Sequence, residues 1–526
     1  MKKTRILALA LCGLLMLSAC GGGAATPAPA ESKAPELTPT PVESAPPAAQ
    51  PAKDELVIAN KYEPANLDPH NVNSVSAFTL CYQVYDRLFT ADENNNIIPQ
   101  LAETWEWIDE TTLRIKLVEG VEFTNGTPLT AEDVVYSMQR ACESSYSAAT
   151  MSNFDGPACA VVDEYTVDLK TKSPYPNALR ILTHGRASIV CQEAIEEMGV
   201  EAYGRTPVGS GRLIVEKWNS GDSLIFKRND NYWNPDELPQ WKTMNFRFIS
   251  ENATRAIEVE TGGADVGMEI AGADLARLQA NPDLKVLVGP GATMNQLVIN
   301  SVNYPGLDNV KFREALHTAL NMEAITKAAY VTADVAASIF PPSTEGYIDC
   351  SAKTTYDVEK AKALLAESGY DVSQPLKINL SKGTEIQAAA EMIANMWTAI
   401  GLKVEVEILD NATLVTNNAQ GKTPIALTTN TTSAGNPETL LINFEKASAG
   451  WTADAELVGR IQEAKTIVDD AARAAAYSDL QEEIWDLHTV IPICVAQVAY
   501  ATRGNVAGLE CHPSKQPDLS KIYFTE

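Results

Sequence analysis

The chain has 526 residues, of which 45% are hydrophobic and 21% charged, and its formal net charge at pH 7 is −27. This length exceeds what a single core requires, so we expect two or three domains or lobes. The strong negative charge argues against nucleic acid as a partner, because binding phosphates requires a basic surface.

The first twenty residues have the pattern of an export signal. A basic start is followed by an apolar run that is too short to span a bilayer, which takes about 20 apolar residues. Leu17-Ser18-Ala19-Cys20 resembles a bacterial lipobox, which implies cleavage before Cys20 and lipidation of its thiol. An ordinary signal peptide with a chance cysteine is the alternative. We predict a signal peptide over 1–19 and a lipoprotein held at the cell membrane, on its extracytoplasmic side, by acyl chains on Cys20.

Residues 20–53 are predicted to be a lipid-anchored linker rich in proline and alanine. The linker has almost no large apolar residue, so it cannot bury enough surface to offset the entropy of ordering. Proline-rich chains extend by about 3.1 Å per residue, so the linker would hold a folded body away from the bilayer. No later run of 18 or more apolar residues occurs, and we expect no membrane span after Cys20.

The folded part is predicted to begin near Glu55, with a buried strand over 56–59 and a helix over 76–89. Two alternating runs around a turn at 105–117 are typical of an antiparallel hairpin. The pattern also predicts a helix starting at Thr130, helices over 357–369, 387–400 and 453–487 with an interruption at 469–470, and strands over 404–408 and 491–495. Strands that alternate with helices indicate an α/β fold.

Six segments, in the same order, resemble the solute-binding proteins of family 5, which are the peptide- and nickel-type receptors of bacterial ABC importers. The segments are 101–106 (LAETWE), 120–134 (GVEFTNGTPLTAEDV), 206–211 (TPVGSG) with 229–233 (NDNYW), 312–316 (FREAL), 356–370 (YDVEKAKALLAESGY) and 400–406 (IGLKVEV). The resemblance extends over nearly everything from Leu56 to the end. Val358 stands where the family has a proline.

The resemblance implies a two-lobed, periplasmic-binding-protein-like fold of type II, with an extra subdomain and a hinge between the lobes. It places lobe I at 54–91, 204–290 and 493–526, the extra subdomain at 92–203 packed on lobe I, and lobe II at 291–492. It further implies a ligand cleft between the lobes, no cofactor, and an ABC permease with its ATPase as partners. We expect the receptor to be a monomer.

The sequence contains no catalytic or metal-binding motif. None of its five histidines lies two to four residues from another, and we interpret His70 and His317 as structural. Seven cysteines follow Cys20 without any Cys-x-x-Cys spacing, and small buried apolar residues are their simplest interpretation. We therefore predict a receptor and not an enzyme. A secreted hydrolase is the least favoured alternative, and turnover of the ligand would reveal it.

The resemblance implies that the ligand is an oligopeptide or a similar amino-containing solute. Peptide receptors of the family often use a loop aspartate to pair with the peptide's amino terminus, but no aspartate lies between Asp410 and Asp454. Asn436 offers a hydrogen bond to an ammonium group without a charge, and the sequence leaves open where Glu438 points. A receptor of the same fold for nickel, a metal chelate or another small solute is the alternative, which the few histidines disfavour.

The ligand cleft is predicted from polar or aromatic residues at ends of elements. These are Asn73, Ser76, Phe78, Met294, Asn295, Asn430, Gly435, Asn436 and Trp451. The first three follow the first strand, and the next two follow the proposed crossing between the lobes at 289–291. Three more lie in a polar, uncharged stretch at 428–437. Trp451 stands alone after a glycine, and a packing role is its alternative.

Overall fold

The structure is a computed structural model that describes residues 53–72, 74–92, 96–432 and 435–525. The predicted signal peptide, Cys20 and nearly all of the linker lie outside these residues, and so does Asn73. Among the described residues, no helix has the length and apolar character needed to cross a membrane.

Most strands join one mixed sheet that extends through the folded body. The strands are β1 (Glu55–Asn60), β2 (Phe89–Ala91), β3 (Ile97–Pro99), β4 (Ala102–Asp109), β5 (Thr112–Leu117), β6 (Ala160–Asp163), β7 (Thr166–Lys170), β8 (Leu213–Asn219), β9 (Ser223–Arg228), β10 (Thr243–Phe248), β11 (Val266–Gly267), β12 (Leu284–Ile299), β13 (Ala333–Val335), β14 (Pro375–Ser381), β15 (Lys403–Leu409), β16 (Ile425–Thr431), β17 (Val490–Arg503), β18 (Val506–Ala507) and β19 (Tyr523–Phe524). The order in the large sheet is β15-β14-β16-β12-β17-β11-β1-β10-β9-β8, and β13 pairs with β17. A separate antiparallel sheet has the order β4-β5-β7-β6.

Helices alternate with these strands, as the sequence predicts for an α/β fold. They are α1 (Val75–Val84), α2 (Ala131–Glu143), α3 (Ala178–Leu182), α4 (Gln192–Met198), α5 (Val200–Arg205), α6 (Asn252–Thr261), α7 (Gly272–Gln279), α8 (Val310–Thr318), α9 (Met322–Ala329), α10 (Val358–Ser368), α11 (Thr384–Ala399), α12 (Asn411–Ala419), α13 (Glu438–Leu441), α14 (Ala455–Ala464) and α15 (Asp470–Leu487).

The long antiparallel pair β12 and β17 connects the two halves of the large sheet. The register of the pair shifts between Gly289 and Thr293, which is where the sequence predicts the first crossing between lobes. A Cβ atom on Gly291 would lie 1.8 Å from the carbonyl oxygen of Ala496, so this close approach requires a glycine. The limits predicted for the lobes and the extra subdomain stay predictions.

Separate hydrophobic cores lie on the two sides of this crossing. One core joins β1 and β8–β10 to the four-stranded sheet and α2, with Leu56, Ile115 and Phe226 fully buried. Another joins β14–β16 to α8–α11 around Trp397, and a third joins α13–α15 around Tyr477. The part of the chain predicted as lobe II thus has cores largely separate from that of the other part, as a protein needs if its lobes move as rigid bodies.

Local capping chemistry sets several helix ends as predicted. Asp357 caps α10 by accepting a hydrogen bond from the backbone N–H of Lys360 at 2.9 Å, and Gly369 ends the helix with a φ of 67°. At α2, Thr130 and Asp133 form a capping box. The hairpin β4–β5 and the interruption between α14 and α15 are likewise confirmed.

The prediction for the first helix is wrong at its end. The expected helix over 76–89 stops at Val84, and Phe89 already begins β2. The backbone N–H of Gly211 donates to the Val84 carbonyl at 2.9 Å, and a Cβ on Gly209 would lie 2.0 Å from the same oxygen. Contact with the 206–211 loop, far away in sequence, therefore ends the helix one turn earlier than the apolar spacing indicates.

The histidines and cysteines have structural surroundings. The Nδ1 atoms of the buried His317 and His488 lie 3.0 Å apart, and His70 Nε2 lies 3.1 Å from the Ser188 carbonyl oxygen. All cysteines within the described residues are free thiols, and most of them are buried. The same part of the chain contains no group of three or more His, Cys, Asp or Glu residues that could hold a metal ion.

Candidate functional site

A cavity of about 700 Å³ lies along one face of α1. The walls come from α1, from segments at 183–186 and 236–240, and from the C-terminal segment 508–523. Thr431, the last residue of β16, and Thr432 also line the cavity, and the sequence assigns both to lobe II. Segments predicted to belong to both lobes and to the extra subdomain therefore line the cavity, and its volume is in the range usual for small-molecule sites.

Two aromatic rings on α1 form the apolar side of this cavity. Phe78 and Tyr82 are four residues apart, so they project from the same face of the helix. The Phe78 ring meets the His184 ring edge-on at 5.1 Å, and the Tyr82 hydroxyl accepts a hydrogen bond from the backbone N–H of Gly185 at 3.1 Å. A Cβ on Gly185 would lie 2.5 Å from the Phe78 ring, so a glycine permits this packing.

An arginine guanidinium lies over each of these rings, and both arginines also line the cavity. The guanidinium carbon of Arg87 lies 4.1 Å from the centre of the Tyr82 ring, and that of Arg186 lies 5.6 Å from the centre of the Phe78 ring. Cations placed over aromatic faces in this way are attracted by the ring quadrupole. Burial lowers the pKa of both arginines below the ordinary value.

His184 adds a neutral ring to the same wall. Burial lowers the pKa of His184 to about 3, and the nearby positive charges of Arg186 and Arg87 contribute to this shift. His184 Nδ1 accepts a hydrogen bond from the Arg186 backbone N–H at 3.0 Å. The imidazole is therefore uncharged at neutral pH, and the positive charge of this wall comes from the arginines.

A third cavity arginine is neutralised by the protein itself. The Arg212 guanidinium forms an ion pair with Glu237, and one of its nitrogens lies 3.9 Å from Asp518. Both carboxylates are on the cavity wall. Arg212, Glu237 and Asp518 thus form an internal charge network on the cavity wall.

The predicted site residues differ in whether they line the cavity or are buried beside other elements. Phe78 lines the cavity, and Ser76 is the second residue of α1, two positions after the N-cap Ser74. Met294 on β12 pairs across the ladder with Asn430 on β16, one residue before the cavity-lining Thr431. Met294 is buried against Ala336 and Val495, and the buried Asn295 lies opposite Cys494 on β17.

The loop after β16 contacts the extra subdomain. Asn436 is buried, and its side-chain oxygen accepts a hydrogen bond from the backbone N–H of Glu438 at 3.0 Å. Gly435 precedes it with a φ of 68°. The carboxylate of Glu438 accepts hydrogen bonds from Asn177 at 2.8 Å and, more weakly, from the Tyr175 hydroxyl at 3.5 Å. Burial raises the pKa of Glu438. Glu438 thus links the segment after β16 to Tyr175 and Asn177, which the sequence assigns to the extra subdomain.

Trp451 lies in the interior of lobe II. Its side chain is 2% exposed and meets the Phe444 ring edge-on at 5.3 Å within the core of α13–α15. This environment matches the packing alternative that the sequence leaves open for this residue, and Trp451 is not among the residues that line the cavity. Its assignment to the ligand site stays a prediction.

Several cavity residues were not anticipated from the sequence, namely Tyr82, Arg87, His184, Arg186 and the C-terminal segment 508–523. One signal was present for Arg87, which interrupts the apolar stretch that ends in Leu88 and Phe89. An arginine is rarely buried unless its charge has a partner or a function at that position. The C-terminal segment offers no comparable signal, because tertiary packing alone brings it to α1.

Comparison with protein families gives a match over most of the folded chain. The model described as "Bacterial extracellular solute-binding proteins, family 5 Middle" matches residues 96–451. The Glutathione-binding protein GsiB of Escherichia coli O1:K1 / APEC is 27% identical over 480 residues, which cover 88% of this chain and 93% of that protein.

Solved structures share the fold. HbpA2 from Haemophilus parasuis aligns with a TM-score of 0.79 at 24% identity, covering 90% of this chain and 100% of that one. The ABC transporter-associated periplasmic binding protein DppA from Helicobacter pylori, in complex with the peptide STSA, aligns with a TM-score of 0.75 at 21% identity, covering 90% and 99%. These likenesses confirm the predicted two-lobed α/β fold of periplasmic binding proteins.

Proposed function

The chain belongs to the bacterial extracellular solute-binding proteins of family 5, and on that premise we propose that it captures oligopeptides, or similar amino-containing solutes, for an ABC importer. The observation that carries the proposal is the cavity of about 700 Å³, which is lined by segments predicted to belong to both lobes. A solute that contacts both Phe78 and Thr431 would favour the closed arrangement of the lobes. The closed receptor would then deliver the solute to a membrane permease with its ATPase.

The relatives support a ligand of the peptide class. GsiB is named for binding glutathione, and the DppA structure holds a peptide. Within the proposed site, Phe78 would contact apolar parts of the solute, and Asn430 would supply a hydrogen bond from β16. The Glu438 carboxylate already accepts two hydrogen bonds from the extra subdomain, which favours a role in joining the lobes over a role in binding an ammonium group.

A thermal-shift screen tests the ligand class. A ligand at about 100 times its Kd stabilises the folded state by about 2.7 kcal/mol. For about 470 folded residues the unfolding entropy near the midpoint is about 1 kcal/mol/K, so the expected rise in Tm is about 3 °C. Di- to pentapeptides should produce this rise, and sugars should not. A shift with a nickel chelate and none with peptides would favour the metal-chelate receptor instead.

We further propose that the receptor is a lipoprotein anchored through Cys20. Leu17, Ser18 and Ala19 precede this cysteine as a lipobox requires, and two acyl chains give the stable anchoring that one chain does not. Cys20→Ser should move the protein from the membrane fraction to the soluble one, or leave an unprocessed precursor. Cys12→Ala, inside the apolar run, is the matched control and should stay at the membrane. A wild-type protein with an unmodified N-terminus beyond Cys20 would contradict the anchor.

A further inference from the structure

Arg87 is a buried arginine with few hydrogen-bond partners. Its side chain is 4% exposed and lines the cavity beside α1. One terminal nitrogen donates to the Thr90 hydroxyl at 2.8 Å, and the buried Nε has no hydrogen-bond partner. A guanidinium carries five N–H donors and a permanent charge, so several donors remain for a group that enters the cavity.

Three of the carboxylates around this cavity have hydrogen-bond or ion-pair partners other than Arg87. Asp86, the preceding residue, accepts hydrogen bonds from four other side chains. Glu237 and Asp518 face Arg212. Within the described part of the chain, no ion pair joins Arg87 to a carboxylate, although burying an unpaired charge is costly. Asp86 and Asp518 favour the charged form of Arg87 through space, but neither forms an ion pair with its guanidinium within the described part of the chain.

A second guanidinium, that of Arg186, lies on the same wall of the cavity. Arg186 lies over Phe78 as Arg87 lies over Tyr82, and the two rings are one helical turn apart on α1. Arg186 also donates to the Thr150 hydroxyl at 2.8 Å, which fixes one edge of its guanidinium. The two stacked guanidinium groups thus line one side of the cavity, with the neutral His184 beside them.

We propose that Arg87, with Arg186 beside it, forms the subsite for a carboxylate of the solute. This inference rests on the proposed function and narrows it to solutes that carry an anionic group at the α1 end of the cavity. A carboxylate would accept charge-assisted hydrogen bonds from the fork of Arg87, which match its planar shape. The carboxylate is either the C-terminus of a peptide or an acidic side chain.

Thermal-shift and calorimetric titrations with three peptide pools test the subsite. The first pool holds tetrapeptides of Ala, Ser, Leu and Lys with free C-termini, the second holds the same peptides as C-terminal amides, and the third holds amides that contain Asp or Glu. The variants are Arg87→Gln, which removes the charge, and Arg87→Lys, which keeps the charge without the fork. Arg114→Gln, on the separate four-stranded sheet, is the control.

We expect the wild type to bind the free-acid pool about 10- to 100-fold more tightly than the plain amide pool, as for a charge-assisted hydrogen bond. A terminal carboxylate is identified if only the first pool binds tightly, and an acidic side chain if the third pool binds as well as or better than the first. In Arg87→Gln the preference for carboxylates should disappear, Arg87→Lys should keep part of it, and Arg114→Gln should behave as the wild type.

Two other outcomes separate this inference from the proposed function. Equal binding of acid and amide pools by the wild type and by Arg87→Gln would overturn the subsite and leave the peptide receptor standing. If no pool binds the wild type, the peptide function fails, and succinate and glutarate then decide the subsite. Stabilisation by either dianion that is lost in Arg87→Gln would support the subsite, and its absence would overturn it.

Discussion

The buried carboxylate of Asp86 holds together separate segments next to the cavity, and we predict that its removal destabilises the whole receptor. Asp86 is 1% exposed. One oxygen accepts hydrogen bonds from Gln100 at 2.7 Å and from the Tyr232 hydroxyl at 3.0 Å, and the other accepts from Ser210 and the Trp233 indole at 3.0 Å each. Two segments that resemble family 5, at 206–211 and 229–233, thus meet on this carboxylate.

The expected magnitude follows from the donors that would lose their acceptor. Asp86→Ala leaves four donors without a partner, and a buried donor without an acceptor costs about 1–3 kcal/mol. At the lower limit the loss is about 4 kcal/mol, which lowers the Tm of a body of about 470 residues by about 4 °C. Asp86→Asn keeps the shape and one acceptor oxygen, so we expect about half of that loss.

Differential scanning calorimetry of the two variants provides the measurement. Asp479→Ala, on the exposed side of α15, is the matched control and should change the stability by less than about 0.5 kcal/mol. A Tm for Asp86→Ala within about 1 °C of the wild type would refute the reasoning. So would an Asp86→Asn variant that is less stable than Asp86→Ala, because the asparagine retains an acceptor.

Three further predictions concern stability. Burial lowers the pKa of His317 and lowers that of His488 to about 4. The free energy of unfolding should therefore be highest above the unfolded pKa of about 6.5, and it should fall by roughly 3 kcal/mol through His488 as the pH drops to 4. Urea unfolding curves that do not change over this pH range would contradict the prediction. Gly211→Ala should cost about 1–3 kcal/mol, since its Cβ would lie 2.7 Å from the Val84 carbonyl oxygen, and an unchanged Tm would contradict the contact. Trp451→Ala should cost about 3–5 kcal/mol by opening a core cavity, and weaker peptide binding at unchanged stability would instead return this residue to the ligand site.

Local chemistry explains which elements could be predicted from the sequence. The ends of α10 depend on Asp357 and Gly369, whose capping roles need only neighbouring residues. The end of α1 depends on the 206–211 loop, which closes on Val84 from more than a hundred residues away. Apolar spacing alone therefore extends this helix too far, because it contains no information about what packs on the last turn.

The site was predictable only in part for the same reason. Phe78, predicted from its place after the first strand, lines the cavity, and its role in ligand binding stays a prediction. Arg87 was missed although its apolar neighbours in the sequence were a signal, because they do not show which distant segments complete a cavity around it. Trp451 has a glycine on its N-terminal side in the sequence, but the packing of α13–α15 buries it in a core. Such placements depend on contacts between distant segments.

The central claim is that the receptor holds an intact peptide-class solute, and native mass spectrometry of the purified protein tests it most directly. We predict that the purified protein carries a bound compound, and that denaturing the protein releases a short peptide or another amino-containing carboxylic acid. After incubation with fresh protein, this compound should bind again and remain chemically unchanged. A released sugar or metal chelate would contradict the ligand class. Conversion of the rebound compound into a product would contradict the receptor itself.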